Sequence, residues 1–227
     1  MSSNGMLEFL GELRENNSLV WMHAHEKRKK EAQAAFVELV RDCIAELASD
    51  EPALAALDPK SLVFRINRDT RFSADKSPYN PVFRAHISPA GRAPVPVGYF
   101  ISIAPGGSFA GGGLFAPHFK DATRMVRDRI QTDPDTFLQL VEAESFKRRF
   151  QFVGAPLKNV PKGYDAENPA AAYLKCKCWA VEESLDDATA ADDEACLRAL
   201  ADSFRAMRPF NGFLNDALAG FEMPRRR

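Results

Sequence analysis

The residues of this chain best suited to bind or act on a negatively charged ligand lie in one stretch, residues 65–81, which reads RINRDTRFSADKSPYNP. The stretch holds four cationic side chains, two carboxylates and two prolines. A guanidinium group binds a phosphate or carboxylate through two parallel hydrogen bonds. A carboxylate beside it could orient an arginine, hold a metal ion or act as an acid or base. Asp69 and Asp75 are the candidates for the catalytic role.

The basic character continues beyond this stretch, because residues 60–92 contain seven Lys or Arg and only two Asp. Two-residue alternation places arginines and a histidine on the polar face of two predicted strands. Helical spacing places a histidine and an arginine on the inward face of a long N-terminal helix. The candidate ligand-binding residues are Arg65, Arg68, Arg71, Lys76, Arg84, His86, His25 and Arg28.

The same charges also fit a purely structural role. Asp69 could pair with Arg68 or Arg71, and Asp75 could cap its own loop through the backbone. The polar start of the long helix could equally be a solvated helix end whose long side chains reach into water. Both interpretations stay open at the level of the sequence.

Other catalytic and metal-binding patterns are weak or absent. The run Gly111–Gly113 lacks the order of a phosphate-binding loop, and a glycine-rich strand covered by a helix fits it better. His23 and His25 diverge by about 200° on a helix, so they cannot chelate one metal ion. The pair Cys176 and Cys178 has no second ligand pair to complete a zinc site. The sequence therefore predicts no metal site and identifies no cofactor.

Composition narrows the class of partner. The chain has 227 residues, 45% of them hydrophobic, and a formal net charge of -1, with seven acids and no base in residues 182–194. This balance makes nucleic acid an unlikely partner. No segment resembles a signal peptide or a membrane span, and four cysteines do not make a disulfide framework. We expect a cytoplasmic protein with free thiols and no membrane association; the sequence does not define its oligomeric state.

The hydrophobic pattern predicts an α+β fold, in which an antiparallel β-sheet meander packs against helices in a single domain. It predicts one long helix from Leu19 to about Ala48, a strand over 62–67, a last strand over 176–181 and a break at Pro209. The expected segments of the domain 1–227 are N-terminal helices (1–50), the antiparallel sheet (60–116), helices (117–150), an irregular segment plus strand (151–183), C-terminal helices (192–220) and a disordered tail (224–227).

Five stretches resemble a family of conserved hypothetical bacterial and fungal proteins, catalogued as domain of unknown function 2461. The similarity covers nearly the whole chain, and the second and third stretches are its most specific parts. The stretches are NNSLVWMHAHEKR, FRINRDTRFSADKSPYN, GYFISIAPGGSFAGGGLF, PKGYDAENPAAAYLKCKCW and RPFNGFLNDAL.

The resemblance implies a single α+β domain of about this length and no established activity. It also implies that Tyr79 belongs with the candidate ligand-binding residues. Met22 stands where the family usually has an aromatic residue, and His25 where asparagine is common, which favours hydrogen bonding over catalysis at position 25. The positions that match the family's signature are Trp21, Arg68, Asp69, Arg71, Phe72, Asp75, Lys76 and Tyr79.

These observations favour a protein that binds, and could act on, a small anionic ligand such as a phosphate- or carboxylate-bearing metabolite. The alternative is a structural or protein-interaction module in which the charges form an internal ion-pair network. The two differ in one feature, which is whether the cations of residues 65–84 already have carboxylate partners.

Overall fold

A computed structural model describes residues 1–115 and 117–224. Two short segments lie outside the described part, and one of them contains most of the tail that was expected to be disordered. The α-helices of the described residues are α1 (Ser3–Glu15), α2 (Leu19–Ala24), α3 (Glu26–Ala48), α4 (Pro59–Leu62), α5 (Lys120–Thr132), α6 (Pro134–Val141), α7 (Glu144–Arg149), α8 (Ala171–Leu174), α9 (Asp187–Ala191) and α10 (Asp193–Ala217), and a 3-10 turn spans Pro52–Leu54.

The strands form one open antiparallel sheet in the order β1-β2-β3-β5-β4. The first three are sequential neighbours, as a meander requires, and β5 lies between β3 and the short edge strand. The α+β class and the antiparallel sheet are therefore confirmed. At the edge, Gln151 is opposite Glu182 and Phe152 is opposite Val181. The strands are β1 (Phe83–Ile87), β2 (Tyr99–Ile103), β3 (Ser108–Leu114), β4 (Gln151–Phe152) and β5 (Trp179–Leu185).

The chain divides into two compact units, and the first holds the charged stretch. Its core joins α1, α3 and β1: the Phe83 ring stacks on Phe9 and Phe36, with centroid distances of 6.3 and 5.4 Å. All three rings are fully buried. Because burying one such side chain stabilises a fold by roughly 1.5–3 kcal/mol, this cluster fixes β1 on the helices. The first unit comprises 1–92, 100–110 and 184–202.

The second unit is built around the buried side chain of Trp179. The indole Nε1 donates to the Tyr173 carbonyl at 3.2 Å. The Arg127 guanidinium lies 5.1 Å from the Trp179 ring centroid and donates to the carbonyls of Leu174 and Cys176. The residues before β5 are therefore held by hydrogen bonds in place of strand pairing. The described residues of 93–99, 111–183 and 203–227 make up this unit.

The glycine run of β3 lies in the second unit, where neighbouring atoms leave no room for a side chain at two of its positions. A Cβ at Gly112 would stand 2.4 Å from the Met207 Sδ of α10, and one at Gly113 would stand 2.2 Å from the Trp179 carbonyl oxygen. Gly113 also has a φ of +86°, which side chains rarely adopt. The sequence interpretation of a covered glycine-rich strand is confirmed.

The strand predicted over 62–67 is wrong. Asp58 accepts a hydrogen bond from the Lys60 amide, and Pro59 occupies the first helical position, so the segment starts as the short helix α4. Beyond it, only two isolated bridges remain, Val63 to Ala85 and Asn67 to Tyr79. The regular pairing of a strand is therefore absent from this segment. Leu62 and Ile66 are nevertheless buried and Arg65 is exposed, as the alternation predicted, whereas Phe64 is only half-buried.

Two predicted helix boundaries also differ from the structure. The long N-terminal helix divides at His25, whose φ and ψ of -113° and 19° are not helical. Conversely, α10 continues through Pro209, because buried residues such as Phe204, Phe210 and Leu214 hold both halves against the core. The last strand in the chain, β5, starts at Trp179, whereas the sequence predicted a start at residue 176.

All four cysteines are free, as the sequence predicted. No helix among the described residues is both long enough and apolar enough to cross a membrane.

Candidate functional site

Two ion pairs lie within the loop of residues 65–81. The Arg71 guanidinium binds Asp69 through a fork, with Nε 2.9 Å from Oδ1 and Nη2 2.6 Å from Oδ2. Arg68 donates to the Asp75 carboxylate and, at 3.4 Å, to the Ser73 hydroxyl. Both pairs are solvent-accessible, and the Arg71 side chain is 76% exposed. The arginines that seemed best placed for a ligand therefore already bind carboxylates of their own loop.

These pairs control the protonation of the two candidate acids. The Arg71 hydrogen bonds hold the pKa of Asp69 below its usual range. The Arg68 hydrogen bond, with further bonds from Ser77, holds the pKa of Asp75 well below its usual range. Both groups are therefore ionised at neutral pH, and their low proton affinity makes them weak bases and poor acids. Their geometry suits loop structure better than proton transfer.

Backbone groups hold the rest of the loop. Asp75 also accepts from the Ser77 amide at 2.8 Å, which is the backbone capping considered from the sequence. Lys76 Nζ donates to the Thr70 carbonyl at 3.0 Å. The Asn17 side chain donates to the Tyr79 carbonyl and accepts from the Tyr79 amide, at 2.9 and 3.1 Å. Lys76 and Tyr79 thus take part in fixing the loop.

The two candidates from the N-terminal helix make contacts of their own. The imidazole of His25 stacks on Trp21 at a centroid distance of 4.1 Å, and its Nδ1 donates to the Trp21 carbonyl at 2.8 Å. Arg28 pairs with Glu12 of α1. Neither side chain forms a hydrogen bond or ion pair with a described residue of 65–84. The hydrogen-bonding role that the resemblance favoured for His25 agrees with this placement.

His86 of β1 is only 8% exposed. Its Nδ1 lies 3.1 Å from the Gly91 carbonyl, which makes this nitrogen the donor. Burial lowers the pKa of the imidazole, since the charged form would lose its hydration. The residue is therefore neutral at physiological pH and closes the turn after β1.

Arginines and phenylalanines gather in a different part of the first unit. The guanidinium carbons of Arg84 and Arg92 lie 5.9 and 5.7 Å from the centroid of the Phe64 ring. The Phe64 ring contacts Phe100 of β2, which in turn contacts Phe109 of β3. We call these five residues, Phe64, Arg84, Arg92, Phe100 and Phe109, the arginine–phenylalanine surface.

The cations of this surface differ from those of the loop. Within the described residues, neither Arg84 nor Arg92 pairs with a carboxylate, and the only side-chain hydrogen bond is from Arg92 Nη1 to the Val63 carbonyl at 3.4 Å. Arg65 is exposed and likewise has no ion pair in the described part of the chain. The unpaired cations thus lie beside the predicted stretch or at its first residue.

Sequence reasoning named Arg84 as a ligand-binding candidate but missed the other four members of this surface. It assigned Phe64 to the core face opposite Arg84, whereas the amide of Phe64 donates to the Arg84 carbonyl and its ring contacts the Arg84 guanidinium. Alternation along β2 did place Phe100 on the polar face, and this was the available signal. The position of Arg92 follows from its loop, which no periodicity predicts.

No group of three or more metal-ligating side chains lies together in the described ranges. The site is therefore defined by guanidinium groups and aromatic rings. These features define a class of protein: an α+β protein whose antiparallel sheet carries an arginine–phenylalanine surface.

Comparison with known protein families assigns the chain to one of them. A family model described as "Conserved hypothetical protein (DUF2461)" matches residues 5–213 of the 227, so the chain belongs to this family, as the resemblance indicated. No curated protein and no solved structure matches the chain.

Proposed function

We propose that the protein binds a small anionic ligand, such as a phosphate- or carboxylate-bearing metabolite, at the arginine–phenylalanine surface. The observation that carries the proposal is that Arg84 and Arg92 lie against the same Phe64 ring without a carboxylate partner in the described residues. Both guanidinium carbons lie within 5.9 Å of one ring centroid, so their positive charges add at this surface and attract an anion.

The surface also has the hydrogen-bonding capacity that such a ligand needs. Each guanidinium carries five N–H donors, and among the described residues one of these ten donors has an acceptor, the Val63 carbonyl. The phenylalanine rings exclude water from one side of the guanidinium groups, which strengthens their attraction for an anion. Arg65, next to Phe64 in the chain, adds positive charge. Arg68, Arg71 and Lys76, by contrast, are engaged within the loop.

The proposal is limited to binding. The two carboxylates nearest in sequence, Asp69 and Asp75, have lowered pKa values and form ion pairs with loop arginines. A reaction at the surface would need a proton donor or acceptor, and these two groups are poorly tuned for that task.

A thermal-shift titration at constant ionic strength tests the proposal. Inorganic phosphate, pyrophosphate and citrate are the probes, with chloride as the reference anion. A ligand that binds only the folded state raises Tm with increasing concentration. We expect at least one probe to raise Tm beyond chloride, and the Arg84→Gln and Arg92→Gln variants to lose that increase.

The matched control is Arg71→Gln, which removes an exposed arginine that already binds a carboxylate. This variant should keep the full ligand-dependent increase in Tm. The proposal fails if no probe exceeds chloride, or if Arg71→Gln loses the response as completely as Arg84→Gln.

A second candidate function is a protein-interaction loop, and one observation favours it. Phe72 is 96% exposed at the tip of a loop whose flanks are fixed by the Arg71–Asp69 and Arg68–Asp75 pairs. Limited proteolysis tests the structural part of this candidate: Arg68→Gln should speed cleavage within residues 65–81 while leaving Tm nearly unchanged, because the pair is accessible to solvent. Equal cleavage rates in the wild type and in Arg68→Gln would contradict the view that the ion pair fixes this loop.

A further inference from the structure

Three phenylalanine rings form a continuous row in the first unit. The centroids of Phe64 and Phe100 are 6.0 Å apart at an interplanar angle of 44°, and those of Phe100 and Phe109 are 6.0 Å apart at 18°. All three side chains are half-buried, so each keeps part of its surface in contact with solvent. The row begins at the ring that Arg84 and Arg92 contact and leads away from it across neighbouring strands.

Phe100 and Phe109 lie on the opposite face of the sheet from their fully buried neighbours in the same strands. Next to Phe100 along β2, Ile101 is fully buried, and next to Phe109 along β3, Ala110 is fully buried. Successive side chains of a strand point to opposite faces, so the two phenylalanines share the face that carries Arg84. A sheet face that combines half-exposed rings with unpaired guanidinium groups is suited to a ligand that is both flat and anionic.

We infer that the ligand of this surface is an anion that carries a flat aromatic ring, of which a nucleoside monophosphate is the simplest example. This inference rests on the proposed function, since the phosphate is bound by Arg84 and Arg92. The ring stacks on Phe100 and Phe109, one strand spacing further along the surface.

The charge of the molecule favours a mononucleotide over a polynucleotide. The formal net charge is -1, and residues 182–194 carry seven acids and no base. Binding to a nucleic acid strand depends on neutralising many phosphates with basic side chains. The surface offers two guanidinium groups beside one phenylalanine ring, a number that suits one phosphate better than a chain of phosphates.

Calorimetric titration with three probes separates the ring from the anion: adenosine monophosphate has both, ribose 5-phosphate only the anion, and adenosine only the ring. Stacking on an aromatic side chain strengthens binding by roughly tenfold or more. We therefore expect the wild type to bind adenosine monophosphate about tenfold more tightly than ribose 5-phosphate. Phe100→Leu and Phe109→Leu, which keep an apolar side chain but remove the ring, should each reduce that ratio towards one. Arg84→Gln should weaken the binding of both adenosine monophosphate and ribose 5-phosphate.

Phe72→Leu is the matched control, because it removes an exposed phenylalanine outside the surface and should leave the ratio unchanged. Equal affinity of the wild type for adenosine monophosphate and ribose 5-phosphate would overturn the inference and leave the proposed function standing. Failure of every anion, ribose 5-phosphate included, would overturn both. A short oligothymidylate that binds far more tightly than thymidine monophosphate, with a steep salt dependence, would show a single-stranded nucleic acid surface and overturn the mononucleotide inference.

Discussion

At the scale of single residues, His86 makes stability depend on pH. Burial lowers the imidazole pKa from an ordinary value of 6.5, so the unfolded chain binds a proton at a higher pH than the folded one. As pH falls below about 6.5, protonation therefore favours the unfolded state, and the free energy of unfolding decreases until the folded pKa is passed. Above that window His86 is neutral in both states and imposes no penalty.

Urea unfolding at about pH 7.5 and pH 5.5 measures this effect. The wild type should lose more free energy of unfolding between the two values than His86→Asn, whose amide can still donate to the Gly91 carbonyl but does not titrate. Proton NMR of the imidazole gives a direct check. An observed pKa for His86 above 6.5 would contradict the prediction.

The arginines show why residue chemistry alone did not define the site. Asp69 lies two residues before Arg71, and Asp75 lies seven residues after Arg68, so both arginines have an acid within reach of a short loop. The nearest acid to Arg84 in the sequence is Asp75, whose carboxylate is already bound to Arg68, and Arg84 has no carboxylate partner among the described residues. The density of charge predicted the region correctly, but which cations remain available depends on loop geometry.

At the scale of elements, β3 depends on its glycines. A Cβ at Gly113 would lie 2.2 Å from the Trp179 carbonyl oxygen, on a residue with φ of +86°. Gly113→Ala should therefore lower the free energy of unfolding by roughly 3 kcal/mol or more, because backbone strain and the clash add together. Gly212→Ala is the control, since nothing lies within 4 Å of its Cβ position in α10. That variant should be neutral or stabilising by up to about 1 kcal/mol in urea unfolding; an equal loss in both variants would refute the argument.

Regular elements with one buried face were predictable, and elements defined by local breaks were not. The apolar positions of β1 and β2, such as Ala85 and Ile101, are fully buried, and both strands lie within the sheet predicted over 60–116, although His86 and Ser102 on the other face are buried as well. The pattern over 62–67 looks similar in sequence. Its first residue, Leu62, instead belongs to the short helix α4, which begins after Asp58 at Pro59. The two prolines occupy different positions in their helices: Pro59 begins α4, whereas Pro209 lies inside α10. Tertiary packing, which the sequence does not display, decides between them.

At the scale of the whole molecule, the α+β class and the antiparallel sheet followed from composition and periodicity, whereas the arginine–phenylalanine surface did not. Phe100 and Phe109 come from neighbouring strands, whereas Phe64 comes from a segment outside the sheet that is held by its amide hydrogen bond to the Arg84 carbonyl. The sequence pattern assigned Phe64 to the core face and Phe100 to the polar face. It gave no sign that their rings are in contact, because that contact depends on how residue 64 packs against the sheet.

The thiols provide a prediction for the whole chain. Burial raises the pKa of Cys43 and Cys178, and raises that of Cys176 to about 11 and that of Cys196 to about 12. The thiolate is the reactive form, so all four should react slowly with iodoacetamide near neutral pH in the native state. Cys176, the only one of the four that is not buried, should be modified first, and Cys176→Ser should remove that first adduct in mass spectra. Unfolding in urea should make all four react together, whereas rapid labelling of Cys43 or Cys196 in the native protein would mean that the first unit opens far more readily than its packing implies.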